Sequence, residues 1–426
     1  MLKFQNPACY VLIALFLAHC FNDLLSTPLI GGFPITPVQI VILLSTLYLI
    51  IKGGKLNSKR VSKIFTPAYL YLIVIAISTI LTFIEHGQFE VYVLTFGFNL
   101  MLLRFLAPLL SNGLSATDVK NVVLIFCYLI FLLCVIPGLV EFITRTTLLP
   151  TQKGISSNIF YIRGLFTDKI EFGTILGVLI FILVLILESR TSTFGKIIII
   201  SLIFISTLLI FFSFSSTAIV GTVSGIVVLF MSRVRGIFFK AFASVLLIFV
   251  LYSIIEDTPL FEEQVKSYEL KYSLNVDRYD ERNFRYLSFV KGFDSFFENP
   301  FFGSGVSQSQ VVIQQLLGTR KQVNPHNILS TELIDYGLFG TVFMAIFLYR
   351  LYKLMTLDYI GCKNEPHLFF LHRLVLALGV LLMFRLTLYY HRFDQTIYFL
   401  WIALLIATYG TAIRAAKNWQ ASHKTA

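Results

Sequence analysis

Long apolar runs alternate with shorter polar segments along almost the whole chain. Each run is about 17 to 25 residues long, the length that a helix needs to cross roughly 30 Å of hydrocarbon. The runs lack the polar and apolar alternation of barrel strands, and backbone groups in lipid must find partners within their own segment. The pattern therefore predicts an all-α fold, a polytopic membrane bundle of about twelve transmembrane helices. The predicted spans lie near residues 8–25, 35–51, 65–84, 90–110, 121–140, 170–187, 197–214, 216–232, 236–255, 326–352, 368–388 and 395–413.

Two of the polar segments are long, residues 141–169 and residues 256–325. The second begins with an abrupt change to charged sequence. Its periodicity predicts two amphipathic helices, near 260–272 and 281–298, followed by a turn at Asn299-Pro300. The predicted divisions are residues 1–255 with spans one to nine, residues 256–325 as a large helical loop, and residues 326–426 with spans ten to twelve and the tail.

Composition and charge set the class and the orientation. Hydrophobic residues make up 57% of the chain and charged residues only 13%, which excludes a water-soluble fold. Lys and Arg concentrate in alternate loops, so the positive-inside rule predicts cytoplasmic termini and places both long segments on the outer face. The net charge of +11 then reflects topology and contact with anionic membrane lipid. Basic and aromatic residues are not interleaved on a polar face, so nucleic acid is not a predicted partner.

Motifs for nucleotide and metal chemistry are missing from the sequence. There is no glycine-rich phosphate loop, no Asp-x-Asp, no HExxH and no nucleophile elbow. The five cysteines show no metal-ligand spacing and are predicted to serve in packing. Cys20 follows a lipoprotein-like stretch, but His19 before it fits a cleavage site poorly, which favours an uncleaved first helix. No cofactor and no metal site are predicted.

The strongest candidate for chemistry is a histidine at the outer end of the tenth span. Asn324 is predicted to cap a helix whose first position is Pro325, which puts His326 in the first turn. The positive end of the helix dipole there favours the neutral imidazole that a general base requires. Gly337 and Gly340 lie deeper in the same helix, where small side chains are predicted to let helices pack closely.

Other ionisable residues divide into two groups. Glu332 and Asp335 share a helix face that points away from His326, so they are predicted to pair with an arginine inside the bundle, such as Arg104 or Arg385. The second group lies at the outer face, where an anionic, lipid-linked substrate would need cations. Its members are Arg163, Asp168, Lys169, Arg278, Arg282, Arg285, Arg320, Lys321 and His391.

The tenth span carries a motif of a known family. His326-Asn327, followed after nine residues by Gly337 and after two more by Gly340, resembles the ligase-type pattern of the O-antigen ligase and polymerase superfamily of bacterial envelopes. The resemblance covers the whole predicted topology but only about 60 residues of sequence, mainly residues 282–345.

Two arginine motifs extend the resemblance, and one position departs from it. Arg285 ahead of ENPFFGSG is similar to the family's arginine, hydrophobic helix, Asn-Pro and Gly-x-Gly. Arg163-Gly164 resembles the arginine-glycine segment before span six. After span seven, where the family often has Ser-Arg, this chain has Ser215-Ser216, so an arginine role there is absent or moved.

The resemblance implies glycosyl transfer at the periplasmic face of the bacterial inner membrane, without nucleotide, metal or other cofactor. The implied donor is an oligosaccharide on undecaprenyl diphosphate, and the acceptor is a sugar hydroxyl of a lipid-linked repeat unit or of the lipid A core. His326 would deprotonate the attacking hydroxyl, while Arg285 and Arg163 would neutralise the departing diphosphate, with Arg282 in reserve. Direct displacement would invert the anomeric centre. A chain-length regulator protein is a further candidate partner.

Each candidate also has a structural interpretation. A histidine at a helix mouth is commonly a solvated cap, and Arg278, Arg282 and Arg285 alternate with acidic residues as in a surface ion-pair lattice. Arg163 could contact lipid, and His391 could be an interfacial anchor.

Several functions stay open at this stage. Within the superfamily a repeat-unit polymerase is favoured over an O-antigen ligase. A lipid-linked sugar flippase would need polar residues along a path through the bilayer and repeated halves, which the sequence does not show. Another glycosyltransferase class uses an acidic residue in the first outer loop, and Asp23 is suitably placed for it. A purely structural protein would leave His326 and Arg285 unexplained.

Overall fold

The computed structural model describes residues 6–21, 27–28, 34–35, 37–51, 59–87, 92–148, 161–166, 168–189, 192–231, 293–306, 308–317, 328–355, 365–388 and 396–424. The first helices are α1 (Pro7–Cys20), α2 (Pro37–Ile51), α3 (Lys59–His86), α4 (Tyr92–Gly113), α5 (Ala116–Ile130) and α6 (Ile136–Thr144). They are followed by α7 (Lys169–Ser189), α8 (Thr193–Phe212) and α9 (Ser216–Met231). The last are α10 (293–298), α11 (Gln308–Leu317), α12 (Ile328–Met355), α13 (Pro366–Leu388) and α14 (Thr396–Lys424).

The predicted all-α membrane fold is confirmed. Eight helical segments of the described chain are long and apolar enough to span a membrane, and three shorter apolar helices, α1, α2 and α9, accompany them. These eleven segments coincide with eleven of the twelve predicted spans. The remaining span, 236–255, lies outside the described residues. Among the residues described, the only strands are a two-residue antiparallel pair, β1 (Thr27–Pro28) and β2 (Pro34–Ile35), in which Thr27 faces Ile35.

Local sequence accounts for several helix boundaries. The side chain of Asn6 accepts a hydrogen bond from the Ala8 amide, and Pro7 occupies the first turn of α1. Ser115 and Asp118 form a reciprocal capping box at the start of α5. A π-helical segment, Phe131–Val135, joins α5 to α6, so the two helices form one continuous span.

The large loop is described only near its end. The predicted helix at 260–272 lies outside the described residues, and of the predicted helix at 281–298 only α10 is described. The predicted turn at Asn299-Pro300 is confirmed. It is followed by two glycines with positive φ, Gly303 at 75° and Gly305 at 110°.

Several helix ends meet at one end of the bundle. Ser78 and Thr82, near the C-terminal end of α3, contact the first half of α12 and the segment before α11. Phe96 near the start of α4 packs against Phe399 near the start of α14. Helix α13 runs towards that end. Its residue Leu381 packs against Gly177 of α7 and Gly221 of α9, where the absence of a side chain leaves space. The segment before α7 and the segment before α11 therefore belong to the same end of the molecule.

Candidate functional site

The structure describes one of the four residues that were predicted to act on substrate. Arg163 is described and is 3% exposed. His326, Arg285 and Arg282 lie outside the described residues, as do Arg278 and His391. The parts of the three family motifs that are described nevertheless define two structural units, one around Gly337 and one around Arg163.

Helix α12 is broken at Gly337. The backbone of Gly337 has φ 64° and ψ −159°, a conformation that is essentially restricted to glycine. The break lies nine residues into the helix, which corresponds to roughly 14 Å at 1.5 Å per residue. At such a depth in a membrane span the backbone groups freed by the break need partners from the protein.

The partners come from residues 299–306, which we call the glycine loop. On the far side of the break, the amides of Leu338 and Phe339 donate to the carbonyls of Pro300 (2.8 Å) and Phe301 (3.3 Å). On the near side, the Ile334 carbonyl accepts from the amide of Ser304 at 2.6 Å. The loop thus replaces the helical hydrogen bonds that Gly337 interrupts.

The glycines permit this contact because backbone meets backbone. A Cβ atom built on Gly337 would lie 2.6 Å from the Gly303 nitrogen and from the carbonyl group of Phe301. A Cβ on Gly303 would lie 2.5 Å from backbone atoms of Ile334 and Asp335. The two glycine motifs of the sequence, Gly-x-Gly in the loop and Gly-x-x-Gly in the helix, therefore fit against each other.

This geometry corrects one interpretation of the sequence. Gly337 was predicted to let two helices pack closely, but it breaks its helix and accommodates a loop. The physical reason is the positive φ of Gly337. A glycine can adopt this conformation, but the residue type alone does not indicate that it does so. Gly340 does face a neighbouring helix, since a Cβ on Gly340 would lie 3.6 Å from the side chain of Val74 of α3.

The two carboxylates of α12 have partners in the described part of the chain. Asp335 is fully buried, and one of its carboxylate oxygens accepts from the Ser309 amide at the start of α11 (2.7 Å). Glu332 accepts from the Tyr71 hydroxyl through both oxygens, at 2.9 and 2.8 Å. Arg385 is also fully buried. The pairing of these carboxylates with an intramembrane arginine stays a prediction.

The second unit holds Arg163 through a buried carboxylate. Glu141, in the last turn of α6, is fully buried. One of its oxygens accepts from the amides of Arg163 (2.8 Å) and Gly164 (2.7 Å), and the other accepts from the amide of Leu148 (2.8 Å). Glu141 thus joins both ends of the segment between α6 and α7.

Cations surround an aromatic ring in this unit. The guanidinium carbon of Arg163 lies 5.9 Å from the ring centroid of Tyr161, and the Lys169 ammonium lies 4.8 Å from it. Asp168 accepts from the Ile170 amide at 2.9 Å and so caps α7. The unit therefore places two cations, Arg163 and Lys169, and two carboxylates, Glu141 and Asp168, around a short segment that is anchored through its backbone.

Replacing Glu141 by Gln is expected to loosen this segment. A glutamine retains one acceptor oxygen, so either the Arg163 and Gly164 amides or the Leu148 amide would face an NH₂ group. Loss of charge-assisted bonds to a buried group costs about 1.5–3 kcal/mol each. We expect a lower midpoint of thermal unfolding in detergent and faster hydrogen exchange across residues 161–166.

Glu365→Gln provides the matched control, because Glu365 stands at the start of α13 and contributes its backbone carbonyl, which accepts from the Phe369 amide. Its unfolding midpoint should equal that of the wild type. A Glu141→Gln protein with wild-type midpoint and wild-type exchange at 161–166 would show that the carboxylate does not hold the segment.

Sequence reasoning missed two residues of this end of the molecule. Glu141 is a lone acid at the end of an apolar run, LVEFIT, and that isolation was the available signal. Glu171, two residues into α7, lies with an oxygen 3.0 Å from Nε2 of His19 at the end of α1. No local sequence pattern links Glu171 with His19, because the two residues are 152 positions apart. Among the residues described, no group of three His, Cys, Asp or Glu side chains could hold a metal ion.

The fold and these two units define a class, a polytopic helical membrane protein with a broken span and a polar, cation-bearing segment at one end. The chain's residues 175–345 match the O-antigen ligase family, and this supports its place in the O-antigen ligase and polymerase superfamily. The matched range contains α10, the glycine loop and the break at Gly337. No curated relative matches the chain. The family implies a glycosyltransferase-like enzyme of the ligase or polymerase type, with a lipid-linked glycan and an acceptor as substrates.

Proposed function

We propose that the protein transfers a glycan from undecaprenyl diphosphate to a sugar hydroxyl, as a repeat-unit polymerase of O-antigen or another surface polysaccharide. The reaction would take place at the periplasmic face of the bacterial inner membrane, with both chain termini in the cytoplasm. The positive-inside distribution of Lys and Arg supports this orientation.

The docking of the glycine loop into the break of α12 is the observation that carries the proposal. It joins the two sequence segments in which the family motifs are strongest, although they are more than thirty residues apart in the chain. Backbone hydrogen bonds on both sides of Gly337 make the junction rigid. A rigid junction suits an active site, because catalytic groups must be held in a fixed geometry.

The proposed roles follow the chemistry of displacement at an anomeric carbon. His326, two residues before the described start of α12, would accept the proton of the attacking hydroxyl. Arg285 and Arg163 would stabilise the negative charge of the departing diphosphate, for which the planar guanidinium fork is well shaped, and Arg282 is the reserve. The buried carboxylate of Glu141 supports the role of Arg163, because it fixes the backbone of that residue.

The proposed reaction uses no metal and inverts the anomeric centre. Guanidinium groups can supply the charge stabilisation that a divalent cation supplies in nucleotide-sugar enzymes. A single displacement, with the hydroxyl attacking opposite the diphosphate, requires no covalent intermediate.

A reconstituted transfer assay tests the function. The purified chain in nanodiscs would receive lipid-linked repeat units alone, or together with lipid A core, and products would be separated by size. A ladder of longer lipid-linked glycans from repeat units alone is the result expected for a polymerase. Transfer that occurs only when lipid A core is present would instead identify the protein as an O-antigen ligase. Movement of lipid-linked sugar across liposomes without new glycosidic bonds would instead identify a flippase and overturn the proposal.

A further inference from the structure

A cavity of about 460 Å³ opens beside the glycine loop. Its walls come from three elements, the end of α3, the glycine loop with the residue before it, and α11. The volume falls within the roughly 300–1,000 Å³ of typical small-ligand sites. Its polar lining residues are Glu85, Glu298, Asn299, Ser304 and Gln308, and Leu81, Val311 and Val312 are among the apolar ones.

One buried polar residue lines this cavity. Gln308, the first residue of α11, is 7% exposed and lines the cavity. Its side-chain amide carries both donors and an acceptor, so a ligand with hydroxyl groups can hydrogen-bond to it in either direction.

The two carboxylates of the cavity are not placed for helix stability. Glu85 lies in the last turn of α3, and Glu298 is the last residue of α10. The negative end of the helix dipole disfavours a carboxylate at both positions. Both line the cavity, where carboxylate oxygens can accept hydrogen bonds from a ligand.

The lining selects among the parts of a lipid-linked glycan. Two carboxylates repel a diphosphate but accept hydrogen bonds from sugar hydroxyls, and the amides of Asn299 and Gln308 can both donate and accept. Apolar walls from Leu81 and Val311 suit the C–H faces of a sugar ring. The docked loop holds Asn299 and Ser304 in place before any ligand arrives.

We propose that this cavity is a glycan subsite that binds the hydroxyl groups of neutral or amino sugars, and that the diphosphate binds elsewhere. The inference rests on the proposed function, since it assigns part of the same substrate to named residues. The sugars could belong to the acceptor or to the donor.

Binding measurements on the full-length protein in nanodiscs test the assignment. The probes are the repeat-unit oligosaccharide freed of lipid and phosphate by mild acid, and sugar-free undecaprenyl diphosphate. We expect Glu298→Gln and Gln308→Leu each to weaken oligosaccharide binding about ten-fold, the loss of one good hydrogen bond, and to leave undecaprenyl diphosphate binding unchanged. Asp294→Asn on α10 and Gln314→Leu on α11 make the same chemical changes outside the cavity lining, and they should bind both probes as the wild type does.

Outcomes separate this inference from the proposed function. Wild-type oligosaccharide binding by both cavity variants, or an equal loss of undecaprenyl diphosphate binding, would overturn the glycan subsite even if glycan transfer is observed. Selective loss of oligosaccharide binding in a protein that forms no glycosidic bond would support the subsite and refute only the transfer reaction. In the transfer assay, a raised KM for a labelled acceptor assigns the subsite to the acceptor. A raised KM for the donor alone assigns it to the donor glycan.

Discussion

His326→Ala is expected to lower turnover by roughly 10²–10⁴-fold, the usual effect of losing a general base. Folding and binding of the lipid-linked donor should be unchanged, because the proposed role of the imidazole is confined to the proton of the attacking hydroxyl. The rate of the wild-type enzyme should also fall as pH drops through the titration of the imidazole, since only the neutral form accepts a proton. Single-turnover kinetics with preloaded donor would measure the chemical step directly.

Two variants serve as controls for this result. His367→Ala removes an imidazole from the start of α13, where it contacts Lys120 at 3.2 Å, and should leave turnover unchanged. Glu332→Gln should lower stability more than the chemical step, because it alters the carboxylate that accepts from Tyr71. If a well-expressed His326→Ala protein binds donor normally and turns over at the wild-type rate, His326 is an interfacial cap and not the general base. The search for a base would then move to Asp168 or His391.

Gly337→Ala is expected to separate the glycine loop from α12. An alanine at φ 64° and ψ −159° carries backbone strain of about 1–3 kcal/mol, and its Cβ would meet loop backbone at 2.6 Å. Overpacking against rigid backbone adds about 1–3 kcal/mol more. Since domains are commonly stable by only about 5–15 kcal/mol, we expect a large drop in folded yield and in the midpoint of thermal unfolding.

Gly97→Ala is the matched control within the same bundle. Gly97 lies inside α4, and a Cβ there would meet only the Leu72 side chain, at 3.6 Å. Alanine in a helix interior is favoured over glycine by about 0.5–1 kcal/mol, so this variant should be as stable as the wild type or slightly more stable. Equal unfolding midpoints for Gly337→Ala and the wild type would refute the docking of loop and helix.

The broken helix also explains how a motif with two glycines can define a site. Each half of α12 would leave backbone groups without partners inside the bilayer if it stood alone. Because the loop supplies those partners, the loop and the helix order each other, and residues on both are held together. Any change that weakens the loop should therefore also disturb the start of α12, where His326 would act.

Much of the architecture was predictable from residue order. Apolar run length alone located eleven spans, because a helix in lipid must satisfy its own backbone and must be long enough to cross. The turn at Asn299-Pro300 was also predictable, since proline and asparagine have strong local preferences. The motif around His326 and Gly337 indicated the family that the match over residues 175–345 supports.

Tertiary structure decided what the glycines and the buried acids do. Gly337 was predicted to be a helix-packing residue, yet it breaks its helix, because only the neighbouring loop can supply the hydrogen bonds that make the break stable. The contact of Glu141 with Arg163 spans 22 residues, and that of Tyr71 with Glu332 spans 261. Hydrophobic periodicity reports how one segment meets lipid or core, whereas a hydrogen bond between distant segments depends on how the whole bundle packs. Span positions were therefore available from the sequence, while the partner of each buried polar group was fixed only by the fold.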